Sequence, residues 1–290
     1  MKPLRKAVFP VAGLGTRNLP ATKSVPKEML PVVDRPLIQY AVDEALAAGI
    51  EQLIFVTGRG KGSMEDYFDI SFELETTMRE RGKSLDPLKP TRLEAGQLAY
   101  VRQQEPLGLG HAVWCARHLI GDEPFAVLLT DELLWNPENP SINQLAETYR
   151  EKGGNVISVL EVPEDHCHRY GIVAPGASNG DVTEVKGFVE KPGAGTAPSR
   201  LAAIGRYVLQ PEVMGILDAQ EKGAGGEIQL TDALAKLIGS QPFHARTYRG
   251  ARYDCGDKAG FVQANLALAI DREDIGADVR AFATELLGRG

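Results

Sequence analysis

Cysteine is scarce in this sequence: three residues in 290, Cys115, Cys167 and Cys255, with no CxxC pair. An odd, widely spaced set excludes a disulfide framework and points to reduced thiols, as in a cytoplasm. No apolar run is long enough to span a bilayer. The basic start, Met1 to Lys6, leads into only a short apolar stretch and does not read as a signal peptide. A basic excess is also missing. The net charge of −7 argues against a nucleic-acid binder, yet leaves room for a local cationic cluster. No Ser-His-Asp or Cys-His arrangement stands out as a nucleophilic centre. His166-Cys167-His168 has no second Cys/His pair at zinc-finger spacing and reads as a polar loop. Internal repeats and low-complexity segments are absent.

What is present is ordinary in bulk. Hydrophobic residues make up 43% and charged residues 24% of the chain, as in globular proteins. The length allows one large domain or two small ones. The informative stretch begins at Ala7-Val8-Phe9-Pro10-Val11, which reads as a buried strand. Ala12-Gly13-Leu14-Gly15-Thr16-Arg17 follows. Two glycines at a strand end present bare backbone N–H groups to a ligand, a ready cradle for phosphate oxygens. Arg17 adds a fork suited to phosphate, and Lys27 a second cation. Position 18 is Asn, so the dinucleotide fingerprint is incomplete, and no G-K-[ST] follows, so this is not a Walker loop.

The rest alternates strand and helix. Leu37–Ala48 shows a helical face of Ile38, Val42, Ala45 and Leu46. Leu53–Val56 is the second strand, giving a βαβ unit with parallel pairing. Gly58–Gly62 reads as a mobile linker in preference to a second phosphate loop. Residues 64–93 form an excursion from the sheet. Leu98–Val101 is the third strand, ending at Gln103, whose amide offers both a donor and an acceptor, the pair needed to read a pyrimidine edge. A helix is expected from His111 to Leu119. Phe125–Leu129 is the cleanest buried strand, and Thr130-Asp131-Glu132 follows it. Ligands of open α/β sheets sit beyond the carboxyl ends of strands, so a carboxylate here is a magnesium candidate.

Ser141 is expected to cap a helix through Arg150, and Asn155–Val162 to be a strand. Between His166 and Ala203 the texture changes to short strands with period-two alternation at Val182, Glu184, Lys186 and Phe188. This predicts a small antiparallel subdomain. Glu190-Lys191-Pro192 pairs a carboxylate suited to vicinal hydroxyls with an ammonium suited to phosphate. Neighbouring strand residues point to opposite faces, so both reach one site only at a bulge or strand end. Leu201–Leu209 is a strand, and Pro211 is expected to open a helix. A further helix runs to Ile238, with Leu230, Leu234 and Leu237 on one side. Asp257 reads as the N-cap of an Ala- and Leu-rich helix over 258–271. The last helix, 278–287, is amphipathic and suited to docking on the core or on another subunit.

Several segments together carry a resemblance. GLGTRNLPATKSVPKEMLPVVDRPLIQY, RQQEPLGLGHAV, RYGIV, VKGFVEKP, GGEIQLTDAL and YDCGDK occur in the order found in the sugar-nucleotide pyrophosphorylases. Within them the chain most resembles the bacterial UTP–glucose-1-phosphate uridylyltransferases, from Lys6 to about Asp271. The resemblance implies an α/β, Rossmann-like, mainly parallel sheet with helices on both faces and a small antiparallel sugar-binding subdomain. It implies one nucleotidyltransferase domain over 1–290. About 1–162 would be the nucleotide part, about 163–255 the sugar part, and about 256–290 C-terminal helices.

The resemblance also implies roles. Ala12, Gly13, Gly15, Thr16, Lys27, Glu28, Gln103 and Gly108 would bind nucleotide. Gly171, Glu190, Lys191 and Gly205 would bind sugar. Arg17, Lys191 and Asp131 would be catalytic, and Asp131 and Asp254 would hold Mg²⁺. Family members carry Pro before the metal-binding Asp; Thr130 stands there instead, and Glu132 is a rival ligand. The implied reaction joins UTP and glucose 1-phosphate into UDP-glucose and pyrophosphate by in-line attack, in a cytoplasmic homodimer or homotetramer without nucleic-acid or membrane partners. Use of dTTP or N-acetylglucosamine 1-phosphate is the alternative. A glycosyltransferase on a similar fold would show a D-x-D motif, which Asp131-Glu132-Leu133 is not. A non-catalytic binder would not need Arg17, Asp131, Lys191 and Asp254 together.

Overall fold

The structure, a computed structural model, describes residues 1–289. β1 (Lys6–Pro10) buries its three central residues. The glycine loop and three single 3₁₀ turns follow, Thr16–Asn18, Ala21–Lys23 and Lys27–Met29. A two-residue hairpin, β2 (Pro31–Val32) and β3 (Arg35–Pro36), leads into α1 (Leu37–Ala47). β4 (Gln52–Thr57) completes the expected βαβ unit. The excursion holds α2 (Gly62–Phe68), α3 (Phe72–Glu80) and a 3₁₀ segment, Asp86–Thr91, before β5 (Leu98–Arg102). Then come α4 (Leu109–Cys115), α5 (Arg117–Ile120), β6 (Phe125–Leu128) and β7 (Glu132–Trp135).

The second half begins with α6 (Ser141–Lys152) and β8 (Asn155–Glu161). A long hairpin follows, β9 (Gly171–Asn179) and β10 (Val182–Glu190), then β11 (Leu201–Leu209). α7 (Val213–Leu217), α8 (Leu230–Leu237), β12 (Phe243–Thr247) and β13 (Ala251–Asp254) come next. α9 (Lys258–Ile270) and α10 (Gly276–Leu287) end the described chain.

Nine strands form one sheet in the order β5-β4-β1-β6-β11-β8-β12-β10-β9. The β5-β4-β1-β6 side is parallel. Its strands are continuous apolar runs because helices cover both faces. α1 and α6 pack on one face, and α4, α7 and α8 on the other. β11 enters antiparallel between β6 and β8. The β9–β10 hairpin extends the same sheet, and β9 returns to β11 through the pair Ala202–Ile172. A separate antiparallel ribbon, β7 with β13, sets Glu132 opposite Asp254. No described helix is long and apolar enough to cross a membrane.

Four local expectations need correction. Ser141 is the first residue of α6 and makes no cap; its hydroxyl meets Ser158 at 3.2 Å. The free N–H of Ile142 instead donates to the Glu44 carboxylate of α1 at 3.0 Å, a cap supplied from across the fold. Gly58–Gly62 is not a loose linker, because Lys61 is buried and donates to Glu28 at 2.7 Å. The single helix over 111–119 is two, interrupted at Ala116, whose ψ of −4° breaks the ladder. Pro211 lies in the turn before α7, where its carbonyl accepts from Met214. Asp257 does cap α9, accepting from the N–H of Ala259 at 3.2 Å.

Candidate active site

The carboxyl ends of β1, β4, β5 and β6 open on one side of the sheet. β1 has neighbours on both sides, β4 and β6, whose connections diverge there, which is where open α/β sheets hold ligands. The glycine loop leaves β1 at this edge. Gly15 has φ of +65°, a left-handed conformation that an L side chain resists, and Thr22 donates to its carbonyl at 2.7 Å. The turn delivers Arg17 to the solvent side and Lys27 beneath it. Together with Asn18, Asp131 and Gly256 they line a cleft of about 120 Å³.

Asp131 follows β6 and is paired with Lys27, Nζ to Oδ2 2.6 Å. Burial alone would raise its pKa, but the Lys27 ammonium, with Arg17 behind it, holds the carboxyl below the usual range. The β7–β13 ribbon brings Asp254 alongside. Asp131 Oδ2 and Asp254 Oδ1 each lie 3.1 Å from the point a Cβ on Gly256 would occupy, and an Arg17 guanidinium nitrogen lies 3.3 Å from it. Two carboxylates and a guanidinium therefore converge above one glycine. Two hard oxygen donors facing an open cleft suit a cation that takes its remaining ligands from phosphates or water. Glu132 is placed differently. Arg252 donates to both its oxygens, at 2.8 and 2.7 Å. Burial still pushes Glu132 up to about 7, helped by Asp254 and Asp131.

A larger cavity of about 470 Å³ adjoins on the antiparallel side. Glu190 ends β10 and accepts from the Thr231 hydroxyl at 2.7 Å. Lys191 has φ of +45°, a turn that breaks the strand alternation and lets both side chains line the same space. Its N–H donates to the Tyr170 carbonyl at 2.9 Å. Gly171 pairs with Glu190 across the hairpin, and Gly205 lines the same cavity. Arg169, not singled out in the sequence, faces Asp254 at 3.6 Å.

A family model described as Nucleotidyl transferase matches residues 6–270. The chain belongs to the nucleotidyl transferase family. It is 50% identical to the UTP–glucose-1-phosphate uridylyltransferase of Bacillus subtilis (strain 168), covering 100% of this chain and 99% of that protein. It is 55% identical to the Komagataeibacter xylinus protein of the same name over 260 residues, 89% of this chain and 91% of the relative. A solved UTP-bound UGPase from Acinetobacter baumannii is 42% identical with TM-score 0.88, covering 98% of this chain and 99% of that one.

In this nucleotidyl transferase the donor–acceptor pair expected of Gln103 is half spent, because both N–H groups of its amide are used within the protein and only its carbonyl is left. The Gln103 amide donates to the Gly108 carbonyl at 3.1 Å and meets His111 Nδ1 at 3.0 Å. Both bonds need the NH₂ end, so Nδ1 accepts and the ring proton sits on Nε2. Gly108 has φ of +118°, and a Cβ there would lie 2.7 Å from the Ile228 carbonyl oxygen. That approach ties the 106–110 loop to the 227–229 segment by paired backbone bonds, Ile228 N to Leu107 O and Gly110 N to Ile228 O. Glu28 is fully buried against Lys61, so its carboxylate faces away from solvent. Thr16 lines the smaller cleft, whereas Ala12 and Gly13 are not among the residues lining either cavity.

The sequence reading missed the scaffold beneath the acids. Arg206, buried in β11, donates to Glu44 at 3.0 and 2.9 Å and to the carbonyls of Leu129 and Glu132 at 2.6 and 3.0 Å. These bonds fix the backbone on both sides of Asp131. A lone charge inside the apolar run Leu201–Leu209 was the available signal, since a buried arginine must be fully partnered.

Proposed function

We propose that the protein transfers the uridylyl group of UTP to glucose 1-phosphate, giving UDP-glucose and pyrophosphate. The observation that carries this reading is the meeting of two unlike clefts: Arg17, Lys27, Asp131 and Asp254 on one side, and Glu190, Lys191 and Gly171 on the other. Near-full-length relatives named for this reaction support it. The attacking sugar phosphate is already an anion at neutral pH, which accords with a site built without a nucleophile–base pair. The barrier is repulsion between anions and charge building on the transferring phosphoryl group, so catalysis is positioning and charge neutralisation.

On this reading the N–H groups of Gly13 and Gly15 and the Arg17 fork hold the departing pyrophosphate. Gln103 and Gly108 face the base, with Glu28 behind. Lys191 anchors the sugar phosphate, and Glu190 and the Gly171 and Gly205 backbone meet sugar hydroxyls. Asp131 and Asp254 would hold Mg²⁺, which when bound neutralises charge on the reacting phosphates. Lys27 meanwhile keeps the Asp131 carboxylate ionised before a cation arrives. Residues 1–162 act as the nucleotide part and 163–255 as the sugar part of one domain. α9 and α10, which leave Val262, Leu266, Phe282 and Leu286 exposed, are the proposed contact of a homodimer or homotetramer. The three free cysteines suit a reducing cytoplasm.

The test is pyrophosphate release from UTP and glucose 1-phosphate, with and without Mg²⁺, beside dTTP and N-acetylglucosamine 1-phosphate. Metal-dependent turnover confined to the first pair is the expected result. Turnover with dTTP alone would transfer the assignment to a thymidylyltransferase. Binding of UDP-glucose without turnover would mark a regulator.

A further inference from the structure

The acid ribbon and the sugar loop come from distant parts of the chain, and two guanidinium groups join them: Arg169 faces Asp254 at 3.6 Å, and Arg252 bridges Glu132 to Tyr170. Arg252 lies on β13, two residues before Asp254. Its side chain and that of Glu132 are 14% and 13% exposed, and the pair is bidentate. The same guanidinium donates to the Tyr170 hydroxyl at 3.3 Å and lies 5.0 Å over the Tyr170 ring. Each end of this strap leads to reacting groups. Glu132 follows Asp131 and pairs across the ribbon with Asp254. Tyr170 precedes Gly171 and accepts from the backbone of Lys191. Glu132 and Tyr170 both line the larger cavity, while Arg252 is not among its lining residues.

We propose that Arg252 is a positioning residue that sets the register between the acid pair Asp131/Asp254 and the sugar-phosphate loop Tyr170–Gly171 with Lys191. The inference rests on the reaction proposed above and adds to it the device that aligns acceptor with donor. A planar fork is required, because one side chain must grip a carboxylate with two bonds and stack on an aromatic face. Lysine, a point charge, cannot make the two-bond grip and keeps at most a cation–π contact with the ring. Glu132 is the other half of the strap and not a cation ligand. In-line transfer tolerates little misplacement, and a shift of about 1 Å costs on the order of 100-fold.

The experiment compares wild type with R252K, R252M and the double variant E132Q/R252M. The double variant leaves no unpaired buried charge, which guards against simple unfolding. Thermal melting, UTP binding by calorimetry without acceptor, and steady-state kinetics are measured on each. In the folded double variant, UTP affinity should stay within about two-fold while kcat/KM for glucose 1-phosphate falls roughly 10- to 100-fold. R252K should recover only part of that loss. Equal weakening toward UTP and glucose 1-phosphate, full recovery by R252K, or wild-type kinetics in the double variant would each overturn the strap while the reaction stands. A wild-type protein without turnover would overturn the reaction and the strap together.

Discussion

The glycine loop over residues 12–18 and the acid segment over 129–132 face each other across one cleft, and they are built on opposite principles. The glycine loop is mostly exposed, and its shape comes from the backbone: a left-handed Gly15, a 3₁₀ turn and a few local hydrogen bonds. Arg17 stands in solvent, with no ion pair among the described residues. The acid segment is held from below by Glu44 and Arg206 and from the side by Lys27 and Arg252. On the proposed reading, the anion-binding chemistry is carried on an exposed turn and can be removed without disturbing the fold. A carboxylate positioned by buried charges cannot be separated from its scaffold in the same way. Function and stability should therefore divide between the two regions.

The largest expected effect is on the scaffold. Arg206→Met strands the Glu44 carboxylate in the core and should destabilise the protein by about 3–5 kcal/mol, read by chemical denaturation. The double variant Glu44→Leu/Arg206→Met should recover much of that stability but not the activity, because the carbonyls flanking Asp131 lose their donors. A double variant as active as wild type would erase the contrast. Arg17→Ala is the complementary change. It should lower kcat by about 100- to 1,000-fold while the melting temperature stays put, since exposed substitutions away from packed features rarely exceed about 0.5 kcal/mol. Loss of stability instead of activity would place Arg17 in the scaffold.

The same division decides what was legible in the sequence. The strands, α1 and the glycine loop follow from periodicity and local chemistry, so β1, β4, β5 and β6 emerge within a residue or two of their expected bounds. Glu190-Lys191 was legible as a pair, and the positive φ of Lys191 supplies the redirection that a regular strand forbids. The partners of Arg206, Arg252 and Arg169 were not legible, because they lie far along the chain; Arg206 stood out as a lone charge in an apolar run, but Glu44 is 162 residues from it. Ser141 failed as a cap for the same reason: the fold supplies Glu44 to the helix end, and no local spacing reveals it. Lys61, taken for part of a loose glycine-rich linker, is buried by Glu28.

Gln103 sits between the two regimes, on a loop but locked by His111, and pH can sharpen where it belongs. Burial, aided by Arg117, lowers the His111 pKa from its ordinary value near 6.5. The fold thus favours the neutral ring. This contribution is present above about pH 6.5 and is lost as pH falls toward the lower folded value. Protonation puts a hydrogen on Nδ1 and breaks the bond from the Gln103 amide. KM for UTP should therefore rise by roughly 2- to 10-fold on the acid side, the worth of one neutral hydrogen bond. UTP itself takes up a proton in this range, so the measurement is the difference between wild type and His111→Gln, whose profile should be flatter. Parallel profiles would remove His111 from the base-side argument.

The smallest effect tests whether a local device stays local. Asp257 caps α9 through one bond of 3.2 Å to the Ala259 N–H, at an exposed position. Asp257→Ala should cost about 0.5 kcal/mol, the low end for a lost cap at the surface. Asp257 also lies one residue beyond Gly256, the point above which Asp131, Asp254 and Arg17 converge. If the cap only anchors the helix, kcat and the Mg²⁺ dependence should not move beyond error. A several-fold change in apparent Mg²⁺ affinity with so small a loss of stability would mean that the start of α9 sets the spacing of the acids. The acid region would then depend on exposed backbone as the glycine loop does, and the contrast between them would narrow.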